Sequence, residues 1–432
     1  MFPSSCQVLS LVISPGFFVR FAIAFVVWYD SPYQTWANSP KILYFIVKGG
    51  TAMEKLYEQD AYLRAFDAKV LSCVQGKGGW DVILDRTAFY PEGGGQPYDT
   101  GTLGNVKVLQ VHTRGEDVVH TCDGPLEPGS RVSGQIDWDR RFDLMQNHSG
   151  EHIVSGIANT WWGCDNVGFH MGSDFITIDL NTMIDEEQLR QLEEAVNRYL
   201  WQDKPVLVTY PTPEELEQLD YRSKKALTGQ VRIITFPGAD VCACCGTHVS
   251  SAGQIGLVKL VSVQKFRDGV RIELLCGGRA LDYLSRVDIQ NKAVSNLLSA
   301  KAGETAQGVQ RLLEENAALK SRILTMEEQH FAALAHGCAG AGDVVLFEDD
   351  LSPDALRRLC DAVLGECQGR CACFSGSDET GYKYAVGQRG GDLRTWVKTL
   401  NQTLNGRGGG KPDFVQGSLR APQADIEAFL AR

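Results

Sequence analysis

Two pairs of potential metal ligands stand out in this sequence, each with a spacing of four residues. His148 and His152 form the first pair, and Cys244 and His248 form the second. On a helix, residues four apart project from one face, so the two histidines can chelate one ion. A glycine and a threonine between Cys244 and His248 predict a tight turn that presents a thiol and an imidazole to one point. Together the four side chains predict a tetrahedral Zn²⁺ site, which would supply a Lewis acid.

The first pair also fits the motif H-x-x-E-H of inverted metalloproteases, with Glu151 as the general base. A peptidase of that type would draw its third ligand from a distant carboxylate and leave one position open for water. Here Cys244 and His248 would fill the coordination sphere. The metalloprotease therefore stays an alternative to the closed zinc site.

We interpret the remaining cysteines as structural thiols. The chain has 13 cysteines without regular spacing, which does not predict a disulfide framework in a protein of this size and indicates a reducing, cytoplasmic location. Cys242 and Cys245 flank the ligand candidate Cys244. A further group lacks histidine and has a C-x-C step that is unusual for zinc, so it predicts a second metal site only weakly: Cys360, Cys367, Cys371 and Cys373.

Composition indicates a globular protein with 44% apolar and 22% charged residues in a chain of 432. The net charge of −11 argues against broad, non-specific nucleic-acid binding but leaves room for a local basic groove. Candidate basic residues precede the cysteine turn and recur in a glycine-rich segment near the C-terminus: Arg222, Lys224, Lys225 and Arg232, then Arg407 and Lys411.

Changes in pattern along the chain predict an α+β protein. We expect a small β-barrel, a mixed α+β zinc-dependent domain, a helical or coiled-coil linker and a C-terminal α/β domain. The first 52 residues contain an apolar run that Pro15, Gly16 and Arg20 interrupt, which predicts a misassigned start or a poorly ordered extension, with a membrane anchor as the alternative. The predicted segments are 1–52, 53–138, 139–285, 286–335 and 336–432.

Within these segments, three patterns predict local structure. Residues 87–101 contain Gly93, Gly94 and Gly95 between aromatic residues, which predicts a loop whose backbone approaches a ligand closely, or an ordinary hairpin. Residues 309–326 follow a heptad pattern with Asn316 at an a position, which predicts a short coiled coil, and hence a homodimer, or a helical hairpin within one chain. Residues 406–414 differ from a Walker A motif but predict a loop whose N–H groups cradle a phosphate.

Read together, the glycine loop, the paired His/Cys motifs and the C-terminal glycine–lysine segment closely resemble the free-standing alanyl-tRNA editing proteins, which are related to the editing half of alanyl-tRNA synthetase. The resemblance runs in order from about Met53 to the end of the chain. It implies that His148, His152, Cys244 and His248 bind zinc. It also implies that the C-terminal domain aids tRNA binding, which would give Arg407 and Lys411, together with Lys224 and Lys225, a phosphate role.

The implied reaction is hydrolysis of the ester that joins a wrong amino acid, chiefly serine and also glycine, to the end of alanine tRNA. We expect Thr87, Gln96 and His170 to line the amino-acid pocket. Residues 1–52 are too few for an ATP-binding aminoacylation domain, so we expect editing in trans, with tRNA as the partner and no stable protein partner beyond the homodimer. A zinc-stabilised tRNA-binding module without hydrolysis is the non-enzymatic alternative.

Overall fold

A computed structural model describes residues 53–223 and 230–431. The chain divides into two compact units, with the boundary between Arg286 and Val287. Both units combine helices and sheets, so the predicted mixed α+β class is confirmed. The predicted extension 1–52 and the two lysines Lys224 and Lys225 lie outside the described residues. Among the helices that the structure describes, none is both long enough and apolar enough to cross a membrane.

The first unit opens with a closed barrel of six strands in the order β2-β3-β7-β6-β5-β8. Inward and outward residues alternate along β2, as a strand with one buried face requires. A short parallel pair, β1 and β4, lies beside a one-turn helix α1. The bounds are β1 Glu54–Lys55, α1 Leu56–Gln59, β2 Ala65–Gly76, β3 Gly79–Leu84, β4 Arg86–Thr87, β5 Gly101–Leu103, β6 Val106–Arg114, β7 Asp117–Cys122 and β8 Arg131–Ile136.

The rest of the first unit packs two sheets and several helices around one core. A four-stranded sheet has the order β14-β15-β10-β9, and a three-stranded sheet has the order β11-β12-β13. The bounds are α2 Trp138–Trp162, β9 Asn166–Met171, β10 Ile176–Leu180, α3 Glu186–Leu200, β11 Leu207–Thr209, α4 Pro213–Gln218, β12 Ile233–Phe236, β13 Asp240–Ala243, β14 Val258–Phe266, β15 Gly269–Cys276 and α5 Gly277–Leu298, which contains the boundary between the units.

Helix α2 is the central element of this unit. Its N-terminus is capped by Asp137, whose side chain accepts a hydrogen bond from the backbone N–H of Arg140, and it ends at Gly163 in the left-handed conformation. Every residue from Asn147 to Ala158 is buried. A helix buried on all sides can present polar side chains only to partners inside the protein, which is what a ligand pair on it requires.

Helix α4 begins with a capping box. Thr212 accepts a hydrogen bond from the N–H of Glu215, the Glu215 carboxylate accepts one from the N–H of Thr212, and Pro213 occupies the first turn. Helix α3 begins with the same arrangement of Asp185 and Gln188. These boundaries follow from local sequence, so they are predictable without tertiary information.

The second unit is built on a five-stranded sheet in the order β16-β17-β18-β20-β19. One face packs against α6 and α7, and the other packs against α8 and α9. Strands β16 and β17 are parallel, and the other neighbours are antiparallel. The bounds are α6 Thr305–Gly337, β16 Val344–Glu348, α7 Pro353–Glu366, β17 Arg370–Ser377, β18 Gly381–Gln388, α8 Arg394–Thr403, β19 Arg407–Lys411, β20 Phe414–Leu419 and α9 Gln423–Leu430.

Two expectations for this unit need revision. The glycine-rich segment is not a phosphate-cradling loop: it forms the edge strand β19, because three successive glycines pair with β20 in regular register. The heptad residues of α6 are exposed, with Leu312 at 54% and Ile323 at 56%, so within residues 53–223 and 230–431 no hairpin partner buries this face. A coiled coil with a second chain stays a prediction.

Candidate metal centre

The two predicted ligand pairs converge on one point in the first unit. His148 and His152 project from one face of α2, and Cys244 and His248 come from the turn after β13. One nitrogen or sulfur atom from each of the four lies within 4.8 Å of all the others. The Cys244 Sγ is 3.4 Å from Nε2 of His148 and 3.4 Å from Nε2 of His248. The spacing pattern therefore identified side chains that meet in space.

The outer ring nitrogen of each histidine has a hydrogen-bond partner. His148 Nδ1 lies 2.7 Å from Gln96 Oε1, and His152 Nδ1 lies 2.8 Å from a carboxylate oxygen of Asp240. His248 Nδ1 lies 3.2 Å from Ser149 Oγ. An amide oxygen and a carboxylate only accept, so the first two histidines donate from Nδ1. A neutral imidazole that donates from Nδ1 carries its lone pair on Nε2, where a metal can bind it. All three imidazoles thus present Nε2 towards the Cys244 thiol, the arrangement that metal-binding histidines use.

The electrostatics of the centre suit a bound cation. Burial raises the pKa of the Cys244 thiol, but the neighbouring His148 and His248 lower it by more, so the pKa lies well below its ordinary value. Burial lowers the pKa of His248 to about 3, which keeps this imidazole neutral at physiological pH. One cysteine sulfur and three imidazole nitrogens are a donor set that zinc binds in proteins, so the residues present fit this metal.

The turn that carries Cys244 and His248 is fixed by its backbone. Arg232 donates from Nη1 to the carbonyl oxygens of Cys244 and Gly246, at 3.0 and 2.8 Å. The backbone N–H of Gly246 donates to the Cys244 Sγ at 3.4 Å. A Cβ on Gly246 would lie inside van der Waals contact with the His148 ring and close to Gln96 Oε1. This position must therefore be glycine for the turn to approach α2.

The glycine loop 91–96 brings Gln96 to the centre. Gly93 and Gln96 pair across a two-residue turn in which Gly94 and Gly95 both have positive φ, 60° and 86°, as a type I′ turn requires. Gly95 also packs so closely on Phe169 that a Cβ would overlap its ring. Besides accepting from His148, Gln96 Oε1 accepts from the N–H of Thr247, and Gln96 Nε2 donates to the Thr247 hydroxyl. The loop therefore ties both ligand segments together.

Sequence reasoning missed the residues that orient two of the histidines. Asp240 lies at the start of β13 and binds His152, while Arg222 donates to both oxygens of the same carboxylate at 2.7 and 2.8 Å. Arg222 thus faces inward, as does Arg232, and neither belongs to a basic surface cluster. The hydroxyl of Ser149 lies beside His248 and accepts from the N–H of Val249. A single acidic residue upstream of Cys242 gives no local signal of this role.

The other candidates occupy varied positions. Thr87 is fully buried, and its hydroxyl bonds to His120 Nε2 at 2.8 Å inside the barrel. His170 is exposed on β9, next to Phe169, whose ring stacks on His148. The Glu151 carboxylate is buried and accepts from Ser155 and Asn166, which are not among the four ligand candidates. This location does not suit the general base of a metalloprotease.

The remaining candidates are two thiols and two basic residues. Cys242 is buried and Cys245 is exposed, while Arg407 and Lys411 are exposed on β19 of the second unit. The second unit is thus the location of both described basic candidates for tRNA contact.

Comparison with known proteins assigns the chain to a family. An alanyl-tRNA editing protein from Danio rerio, Aarsd1, is 30% identical over 397 residues, and the match covers 86% of this chain and 96% of the relative. The chain belongs to the alanyl-tRNA editing protein family. The Aarsd1 protein of Rattus norvegicus is 29% identical over 413 residues, covering 88% of this chain and 97% of the relative. The family resemblance inferred from the motifs is confirmed.

Three family models match separate segments of the chain. Residues 53–140 match the model of class II (A) tRNA synthetases, residues 231–273 match the second additional domain of threonyl- and alanyl-tRNA synthetases, and residues 340–432 match the DHHA1 domain. An alanine–tRNA ligase from Pyrococcus abyssi is 30% identical over 425 residues, covering 89% of this chain but 44% of the ligase. The Cys244–His248 turn lies within the second of these matches.

Proposed function

We propose that this member of the alanyl-tRNA editing family is a zinc-dependent deacylase. Its substrate would be alanine tRNA that carries a wrong amino acid, chiefly serine and also glycine, on its terminal adenosine. The observation that carries the proposal is the convergence of three imidazole Nε2 atoms and one thiol in a chain of this family. The products would be the free amino acid and uncharged tRNA.

His148, His152, Cys244 and His248 would hold the zinc ion, and the bound ion would help to orient the acylated end of the tRNA. Four protein donors complete a tetrahedral sphere, which favours orientation of the substrate over activation of a metal-bound water. An aminoacyl ester is already activated, so a positioned water and donors for the developing oxyanion would suffice for hydrolysis. Gln96 and Asp240 would act as positioning residues, because each fixes the tautomer of one histidine.

Preference for serine over alanine would come from a polar contact to the serine hydroxyl. A site built around a hydroxyl is left with unpaired polar groups when that hydroxyl is missing, so the alanine ester binds poorly. Of the three pocket candidates, Thr87 and Gln96 are occupied by His120 and His148, whereas His170 is exposed on β9, one residue after Phe169. We therefore assign structural support of the pocket to Thr87 and Gln96, while substrate contact by His170 stays a prediction.

Contact with the tRNA backbone would involve the second unit. A groove of about 390 Å³ lies between α8 and β19 and is lined by Arg394, Lys398, Asn401 and the glycines of β19. Arg407 and Lys411 lie on the same edge strand. Positively charged side chains beside an open glycine backbone suit phosphate oxygens, which give affinity without sequence specificity.

The test is deacylation by the purified full-length protein. Alanine tRNA charged with serine, glycine or alanine would be incubated with wild type, Cys244→Ala and Cys245→Ala, with casein as a peptidase control. We expect serine release by wild type and Cys245→Ala, little release from Ala-tRNA, and none by Cys244→Ala. Binding of tRNA without release would contradict the proposal in favour of a non-catalytic module, and cleavage of casein would contradict it in favour of a peptidase.

A further inference from the structure

The second unit contains a cluster of thiols that the proposed editing reaction does not use. Cys371 and Cys373 lie two residues apart on β17, so both point to the same face of the sheet. Cys360 comes from the facing helix α7. The three sulfur atoms all lie within 4.8 Å of one another, and those of Cys371 and Cys373 are 3.5 Å apart. A helix and a strand thus bring three thiols to one point.

The surroundings of the cluster are apolar and closed. Cys360, Cys371 and Cys373 are 0% exposed and belong to the core layer between the sheet and helices α6 and α7. Their neighbours in this layer include Leu359 and Val363. Cys367, which directly follows α7, donates to the carbonyl oxygen of Gly369 at 3.8 Å and is not among the three grouped sulfur atoms. The site therefore offers three soft side-chain donors.

We propose that Cys360, Cys371 and Cys373 form a buried binding site for one thiophilic cation, and that the ion it fits best is Cu(I). Sulfur atoms about 2.3 Å from a shared ion lie about 4 Å apart, close to the separations found here. Structural zinc sites take four protein ligands, whereas this buried group provides three among the residues that the structure describes. Thiolates bind Cu(I) as well as zinc, and this d¹⁰ ion, unlike structural zinc, is stable with three of them.

Binding would couple the ion to protons and to the packing of the second unit. Each thiol that becomes a ligand releases a proton to solvent, so affinity for the ion must fall as the pH is lowered. The ion would also connect α7 to β17, which at this point meet through apolar packing and a hydrogen bond from the Cys360 thiol to the carbonyl oxygen of Cys371. Occupancy should therefore raise the thermal stability of the second unit.

The test is a Cu(I) titration of the zinc-loaded full-length protein without oxygen, in competition with the coloured Cu(I) chelator bathocuproine disulfonate. We expect one Cu(I) per chain in addition to the zinc, with a thiolate-to-copper absorption band in the near ultraviolet. Cys371→Ser and Cys373→Ala should weaken binding by at least about a hundredfold. Cys164→Ser, which removes a buried thiol from the first unit, should bind copper as wild type does.

Two further measurements separate this proposal from the editing site and from misfolding. The same titration in Cys244→Ala removes the other thiol centre, and one Cu(I) should still bind whether or not the zinc proposal is correct. Wild type and Cys373→Ala should both melt cooperatively without copper, which shows that the substituted protein is folded. Addition of Cu(I) should then raise the melting temperature of wild type and leave that of Cys373→Ala unchanged. The proposal would be overturned if wild type bound no copper beyond the zinc, or if Cys371→Ser and Cys373→Ala both bound it as wild type does.

Discussion

Gln96 accepts a hydrogen bond from Nδ1 of His148 over 2.7 Å, although the two residues lie on different domains of the first unit, the barrel and the buried helix α2. The same amide oxygen accepts from the N–H of Thr247 in the cysteine turn. One side chain thus fixes the tautomer of a ligand from one segment and the position of the segment that supplies the other two. Loss of this amide should therefore affect the metal before it affects substrate binding.

Gln96→Ala should weaken zinc binding by about 10- to 100-fold, because an orienting partner of a ligand histidine contributes that much to affinity. Zinc affinity would be measured by competition with a chromogenic chelator, and serine release would be measured in the same samples with zinc in excess. Gln75→Ala, at an exposed position of the barrel, is the control and should match wild type. Unchanged zinc affinity with slow serine release would instead place Gln96 in contact with the amino acid.

Asp240→Asn should destabilise the protein by about 3–5 kcal/mol, because it leaves the largely buried Arg222 without a counter-charge. The free energy of unfolding would be measured with urea. Asp179→Asn is the matched control: Asp179 also binds an arginine through two hydrogen bonds, but Arg271 is 40% exposed, so the loss should be at most about 1 kcal/mol. Equal losses in the two variants would contradict the importance of burial.

The effect of Asp240→Asn should also depend on pH. Burial raises the pKa of the Asp240 carboxyl, but the hydrogen bonds from His152 and Arg222 lower it by more, so the pKa in the folded protein lies below the ordinary value. A depressed pKa contributes stability above the pKa of the unfolded chain, about 3.9, and this contribution is lost as the pH falls through the folded value. The difference in the free energy of unfolding between wild type and Asp240→Asn should therefore have its full value at pH 7 and become smaller below about pH 4. A difference that grows on acidification would contradict this account.

Arg141→Met should destabilise the first unit by about 3–5 kcal/mol. Arg141 on α2 and Asp99 after the glycine loop form an ion pair in which both side chains are 0% exposed, and Arg141 also donates to the carbonyl oxygens of Ala61 and Ala88. Methionine fills the volume but leaves the carboxylate unpaired. Arg114→Met removes an exposed partner of Asp81 and should cost at most about 1 kcal/mol in the same urea titration. A small effect at Arg141 would show that the pair does not hold the barrel to α2.

Much of this arrangement is predictable from sequence because its signals are local. The spacing of His148 and His152 places both on one helix face. The capping box at Thr212 defines the residue at which helix α4 begins. The orienting contacts of Asp240 and Ser149 are not predictable in this way, because each joins residues about ninety or more positions apart through the fold. The partner of Thr87 is likewise not predictable from local sequence, because its buried hydroxyl bonds to His120, 33 residues away.

Gly246→Ala should disrupt the metal centre although it adds a single methyl group. The new Cβ would overlap the His148 ring, and neither the helix nor the turn can move away without loss of its own hydrogen bonds. We expect loss of most bound zinc, measured by metal analysis of protein purified in the presence of zinc. Gly278→Ala on α5 has open space for its Cβ and should retain zinc fully. Full zinc in both variants would show that the turn tolerates displacement.

The central claim is that three imidazoles and one thiolate hold a single zinc ion, and X-ray absorption at the zinc edge of the purified protein tests it most directly. The account predicts one zinc per chain with one sulfur neighbour at about 2.3 Å and three nitrogen neighbours at about 2.0–2.1 Å. The sulfur neighbour should disappear in Cys244→Ala and persist in Cys245→Ala. A metal-free protein, or a zinc ion with two or more sulfur neighbours, would contradict it.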